Sequence, residues 1–541
     1  MTGTATTTAD AVVVGSGPNG LVAAALLADA GWDVLLLEAT DRLGGAVASE
    51  ESVAPGFVTD LFSSFYPLGA ASPVVRGLHL EEHGLEWVHA PAVLAHPLPD
   101  GRCARLSRDL DETAESVGTF APGDARRWRA MAAEWDRLGP GVVESLLRPF
   151  PPVRAGLGLL REAGVAGTGT LARRALLPVR GLVTEEFDGD GARLLLAGNA
   201  LHADLAPESP GSGIFGWLLA MMGQQVGFPV PRGGAGALAG ALAARARSAG
   251  AELVTGSPVT EVVVRDGTAL GVRTASGHAV RARRAVLADV PAPTLFGALV
   301  PRDLLPPGAR RRLDDYPWDD ATLKVNWALR GPVPWTAAGA HGAGTVHVGA
   351  DLDGLTQFSS DLARGKLPEH PFLLVGQMTT TDPTRSPQGT ESLWAYTHVP
   401  RGLAGDRAAM DCQAERVEAV IEEYAPGFRD LVLAREVQRP LDLQDANPSL
   451  VEGAVNAGTS QLHHQLVFRP WTGLGRAETP IARLLLASAS AHPGGGVHGS
   501  CGANAARAAL LAAGARGGPA GRLAGRLVGR GLRSAVTAVN R

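Results

Sequence analysis

The stretch DAVVVGSGPNGLVAAALLADAGWDVLLLEATDRLGG, residues 10–45, constrains this chain more than any other part of it. The apolar run 11–14 predicts a strand buried on both faces, and three glycines follow it in a GxGxxG turn. An Ala- and Leu-rich segment then predicts a helix, and a second apolar strand ends at Glu38. Gly15 permits the tight turn, Gly17 lets the backbone approach a pyrophosphate, and Gly20 lets helix and strand pack closely. The helix N-terminus, opened by Pro18 and Asn19, would face the phosphates. Glu38, with Ala39 after it, is placed to accept hydrogen bonds from a ribose hydroxyl. A strand, turn, helix, strand and acid in this order predict an α/β domain that binds a dinucleotide.

The next residues separate one dinucleotide from another. Arg42, Gly44 and Gly45 in ATDRLGG resemble the RxGG element of flavoproteins with the glutathione-reductase type of Rossmann domain. There the element contacts the pyrophosphate of FAD and lines the flavin end. Such proteins often carry a second arginine where this chain has Ala46, which weakens the implied anion contact at 46 but not at Arg42. GFVTDLFSSFYPLG, residues 56–69, repeats the Gly, Asp and Ser-Ser arrangement that follows in these proteins, and this would bring Ser63 and Ser64 near the flavin ring. A polar loop capped by Asp60 is the alternative.

At 541 residues the chain exceeds one hydrophobic core and suits two or three domains. A net charge of -5 and a pI near 6.3 exclude a general attraction to nucleic acid. Cys103, Cys412 and Cys501 form no CxxC pair, which excludes a redox disulfide, a disulfide framework and a zinc site of ordinary spacing. The longest apolar stretch, IFGWLLAMMG at 214–223, is too short to cross a bilayer, and no basic segment precedes the first apolar run. A cytoplasmic protein is therefore expected.

Further along, LHLEEHGLEW sets His79 and His83 one helical turn apart, but no third ligand accompanies them, and no metal site is expected. Residues 227–293 read as a glycine turn, a helix and short strands, arranged like the return of the chain into an FAD domain. That likeness implies that Val259 contacts the adenine through its backbone. The strand ATLKVNWAL, 321–329, sets Leu323, Val325, Trp327 and Leu329 on one face and Thr322, Lys324 and Asn326 on the other. The polar face must meet water, a partner or a cavity. Lys324 is one of only two lysines, and a similar strand in flavin amine oxidases carries a lysine that holds water against flavin N5. A solvated strand lysine is the alternative.

SAHPGGGVHGSCGANAARAALL, 490–511, gathers five glycines and then turns into a predicted helix. Backbone N–H groups around Gly496 and Val497 precede that helix, which runs through Asn504, so its positive end would point at a flavin ring. Side chains at 494–496 would collide with such a ring. After residue 513 a basic tail repeats Gly517, Gly521, Gly525 and Gly529 beside its arginines. It reads as a disordered or loosely helical tail, or as a helix resting on membrane lipid or another subunit.

VVVGSGPNG, EATDRLGG, GFPVPRGG and HPGGGVHGSCGANAARAAL, in this order and at these distances, resemble the phytoene desaturase superfamily of FAD proteins. NALHADLAPESPGSG at 199–213 and LVFRPW at 466–471 fit its phytoene-dehydrogenase-like branch, that of the pyridine nucleotide-disulfide oxidoreductase domain-containing proteins. The resemblance spans roughly residues 10–512. It implies an α/β fold of two domains, a Rossmann FAD domain and a mixed-sheet and helical substrate domain of the amine oxidase and desaturase kind. The expected FAD domain is discontinuous, 1–100, 226–295 and 472–513, with substrate-binding segments 101–225 and 296–471 and the tail 514–541.

The resemblance also implies non-covalent FAD and hydride removal from a C–C or C–N unit of an apolar or amphipathic small molecule, by desaturation, isomerisation or saturation. Candidate acid–base groups are His492, Lys324 and His498, with a pocket-lining role as the alternative for His492. Two rival functions remain: a flavin amine oxidase, against which the scarcity of tyrosines argues, and a non-catalytic GDI-like protein that binds prenyl or lipid groups. No residue pattern names an electron acceptor.

Overall fold

The computed structural model describes residues 7–473 and 475–517. Most of the tail predicted at 514–541, with the repeated glycines at 521, 525 and 529, lies outside them.

Thr7–Val14 is the middle of a parallel layer, between Val34–Leu37 and Ala279–Ala288. Glu252–Val254 adds in parallel outside the former, and Leu484–Leu486 adds in parallel to the C-terminal half of the latter. A hairpin, Val259–Arg265 and Thr268–Thr274, pairs antiparallel with the N-terminal half of Ala279–Ala288. Parallel strands need cover on both faces, which is why residues 9–14 are buried without alternation. Helices Pro18–Asp29, Ala235–Ser248 and Ser500–Gly517 cover one face through Leu21, Leu27, Leu238, Leu242 and Ala506. Leu295, Phe296, Leu299, Leu313 and Trp471 cover the other.

This second cover shifts a boundary. The sequence reading ends the FAD segment at 295, yet residues through Tyr316 pack beneath the first sheet, because Val12, Val14, Leu37 and Val286 need apolar neighbours there. The boundary at 100 shifts as well. Ala92–Pro97 pairs with Ala343–Val348 and with Cys103–Leu106, so it belongs to the second sheet.

That sheet runs in the order Val432–Gln438, Ala321–Leu329, Glu391–Val399, Leu373–Gln377, Ala343–Val348, Ala92–Pro97, Cys103–Leu106. On one face Leu323, Val325, Trp327, Leu393 and Ala395 meet Met410, Val417 and Ile421 of the helix Arg407–Tyr424. On the other face Lys324 stands opposite Tyr396, and Asn326 opposite Trp394. Helices from Leu110 to Gln225, with a core of Trp128, Trp135 and Trp217, pack toward this second face. All of Ala321–Leu329 is buried, so its polar face meets protein rather than water.

His79 stands outside the one-turn 3-10 helix Leu80–His83 in a left-handed conformation, φ 52°. The two histidines are therefore not stacked on one helical face, and among the described residues no group of three or more His, Cys, Asp or Glu could hold a metal ion.

Candidate active site

The phosphate turn is built so that side chains cannot enter it. Gly15 has φ +93°, and a Cβ there would lie 2.8 Å from the carbonyl oxygen of Asp289. A Cβ on Gly20 would run into the Gly15 carbonyl, and one on Gly17 would lie 2.5 Å from Asp289 Oδ2. Glu38 is buried and accepts from Ser16 N (2.9 Å) and Oγ (2.6 Å) and from Thr40 N (2.9 Å). Its main chain bonds to Val254 and to Ser257, which lies two residues before the hairpin strand that starts at Val259. Gly44 N donates to Ser16 O at 3.1 Å, and a Cβ on Gly45 would lie 3.0 Å from Gly17 Cα. Arg42 instead pairs with Glu50 at the surface. The cradle of main chain and glycine, with its acid at the end of the second strand, fits the pyrophosphate and ribose of FAD.

The C-terminal glycines meet protein. A Cβ on Gly495 would lie 2.6 Å from Asn456 Oδ1, and one on Gly496, φ +118°, would lie 2.7 Å from Leu68. Gly494 lies over the buried Arg469 guanidinium, which donates to the carbonyls of Asn456, Gly458, Thr459 and Ala489. The sequence predicts that these glycines spare a flavin ring from collision; in the structure Gly495 and Gly496 also lie close to the side-chain ends of Asn456 and Leu68. Gly502 packs on the Asn19 main chain and ties helix Ser500–Gly517 to the phosphate turn. Val497 has φ 51°, and Asn504 donates to the Leu147 carbonyl at 3.3 Å.

His492 Nε2 lies 3.1 Å from the Arg148 carbonyl, and its Nδ1 has no partner. His498 Nδ1 accepts from Ser500 N at 3.0 Å. Burial pushes both imidazoles down to about 4, so both are neutral near pH 7. Ser64 is buried with an unpartnered hydroxyl, while Ser63 donates to the Ala46 carbonyl.

Lys324 donates to the Asp60 carbonyl, with Gln438 Oε1 at 3.4 Å, and burial pushes its ammonium down to about 8. Asp60 forms a double hydrogen bond with Arg385, both at 3.0 Å and both fully buried, and this clamps the Thr59–Asp60 strand onto the second sheet.

From Lys324 a row of side chains runs along the inner face. Its ammonium lies 6.0 Å from the Trp394 ring centroid, Trp394 stacks on Tyr396 at 5.9 Å, and the Phe65 ring also meets Trp394. Tyr396 in turn meets the rings of His398 and His202. His398 Nε2 is 2.7 Å from Asp204 Oδ1, an ion pair made by proximity rather than by an aligned hydrogen bond. Asp204 Oδ2 accepts from Asn456 Nδ2 at 2.6 Å, and Asn456 abuts Gly495. The row therefore links the Lys324 end to the glycine run. Asp204 holds His398 charged against desolvation, up to about 9, and burial, with other acids close by, raises Asp320 to about 6.

The sequence reading passed over His398 and Asp204. A signal existed, since Trp394, Tyr396 and His398 alternate on one strand face and NALHAD carries the partner acid.

A glycine-lined dinucleotide cradle on a parallel sheet, roofed by a second sheet with an enclosed aromatic and ionisable face, defines a two-domain flavin oxidoreductase. The chain matches the family described as flavin containing amine oxidoreductase over residues 19–510, and it belongs to that family. It is 29% identical to pyridine nucleotide-disulfide oxidoreductase domain-containing protein 2 of Mus musculus, over 92% of each chain. It is 25% identical to the phytoene desaturase (neurosporene-forming) of Cereibacter sphaeroides, over 91% of this chain and 92% of that one. An oxidoreductase from Methanosarcina mazei shares the fold, with a TM-score of 0.60 at 16% identity over 92% of this chain and 99% of that one. The protein is thus an FAD-dependent oxidoreductase of the phytoene-desaturase-like kind. No helix among the described residues is long and apolar enough to cross a membrane.

Proposed function

We propose that this enzyme binds FAD non-covalently and dehydrogenates a C–C unit of an apolar or amphipathic small molecule held against the inner face of the second sheet. The observation that carries the reading is the row Trp394, Tyr396, His398 and Asp204, which ends at the glycine run. The aromatic rings offer apolar contact, and the ion pair offers a group that exchanges a proton. Bound FAD would accept the hydride. His398 and Asp204 then handle the remaining proton: the neutral imidazole takes it from the carbon next to the one that loses hydride, and the imidazolium returns it in the saturating direction.

Non-covalent binding is supported by the state of the cysteines. Cys501, the one in the glycine run, is buried with its thiol toward the Ala491 and Gly494 carbonyls and pushed up to about 12, so it offers no thiolate for attachment. The apolar substrate class follows the desaturase resemblance and the phytoene desaturase relative.

Amine oxidation is the second reading. The scarcity of tyrosines argues against an amine site, yet Phe65, Trp394 and Tyr396 come together beside the buried Lys324. Oxygen-free addition of limonene, phytoene or octylamine to the FAD-loaded protein separates the two. Bleaching of the flavin band by a hydrocarbon supports dehydrogenation, whereas bleaching by octylamine alone supports amine oxidation. A colourless protein that takes up no FAD overturns both and favours the GDI-like reading.

A further inference from the structure

Asp289 follows the strand Ala279–Ala288 directly and reaches into the phosphate turn. Its Oδ2 accepts from Gly20 N at 2.8 Å, in the first turn of the helix Pro18–Asp29, and lies against Gly17. It therefore occupies the end of the helix dipole where a pyrophosphate must also sit. A carboxylate there caps the helix N-terminus, but it is a like charge beside the dianion of FAD.

Among the described residues no cationic side chain stands opposite it. Glu38, from the end of the second strand, adds negative charge, and the Cys501 thiol, from the C-terminal helix, is held neutral. Arg42 is turned away to Glu50, and among the described residues no arginine, lysine or histidine forms an ion pair with Asp289.

We infer that Asp289 is a cofactor-binding residue that takes up one proton from solvent as FAD binds, changing from a carboxylate that caps the helix into a carboxylic acid beside the pyrophosphate. The inference rests on the glycine turn being the seat of FAD. The protonated group removes the repulsion and can donate to a phosphate oxygen. Burial and the nearby Glu38 already hold the carboxyl up at about 7, so the proton is within reach at neutral pH.

The sign follows from linkage. Below pH 7 the acid is already protonated and FAD meets no opposing charge, while above it each binding event must first bind a proton. Affinity should then fall by about tenfold per pH unit. The test is titration of the full chain with FAD from pH 6 to pH 9, followed by flavin fluorescence, for the wild type and Asp289→Asn. The wild type should lose affinity with that slope above pH 7, and Asp289→Asn should bind with little pH dependence. In case the variant folds poorly, calorimetry on the wild type at pH 8 in phosphate and in Tris should report uptake of close to one proton per FAD. A flat wild-type profile, or heats that do not depend on the buffer, would overturn the inference while leaving the FAD seat intact. Failure to bind FAD at any pH would remove both.

Discussion

The phosphate turn and the inner face of the second sheet hold their geometry in opposite ways. At the turn, Ser16 finds Glu38 and Gly44 within 28 residues, and most contacts are to main chain. On the inner face, Lys324 reaches Asp60 across 264 positions, and Asn456 reaches Asp204 across 252. A short-range motif can be recognised from residue types alone. A long-range one exists only after the chain has folded, and its chemistry depends on burial that no single stretch encodes.

The largest effect is expected at the Asp60–Arg385 clamp that joins the two regions. Arg385→Ala strands the Asp60 carboxylate in the interior, and losing one partner of a buried pair costs about 3–5 kcal/mol. Thermal or denaturant unfolding of the FAD-loaded protein should show that loss, and a change below about 1 kcal/mol would mean that the two regions are held otherwise. A smaller effect should stay local to the turn. Glu38→Gln weakens the charge-assisted bonds from Ser16 and Thr40, with an expected loss of about tenfold in FAD affinity and little change in unfolding. If the unfolding midpoint falls as far as it does for Arg385→Ala, Glu38 supports the fold beyond the turn itself.

What could be read in advance follows the same division. The glycine turn, Glu38, the RxGG element and the C-terminal glycine run all stood out, because steric demands on glycine leave a mark at the residue itself. Lys324 stood out through rarity. His492 and His498 stand beside the glycines in sequence, but folding buries them and keeps them neutral near pH 7. His398 gains its charge only because Asp204, far back in the chain, is brought to 2.7 Å. Ala92–Pro97 was misplaced for a related reason, since its partner strand begins only at Ala343.

The proposed proton transfer by the His398–Asp204 pair belongs to a reaction whose cofactor would sit at the glycine turn. Its most direct test is the rate of oxygen-free flavin bleaching by an active hydrocarbon from pH 6 to pH 10, with FAD saturating, in the wild type and His398→Asn. Because Asp204 keeps the imidazole protonated up to about pH 9, the wild-type rate of dehydrogenation should rise with pH and level off above that point. His398→Asn should lose the rise and run slower by about 100-fold at the plateau. An unchanged pH profile and rate in His398→Asn would rule out that role for His398.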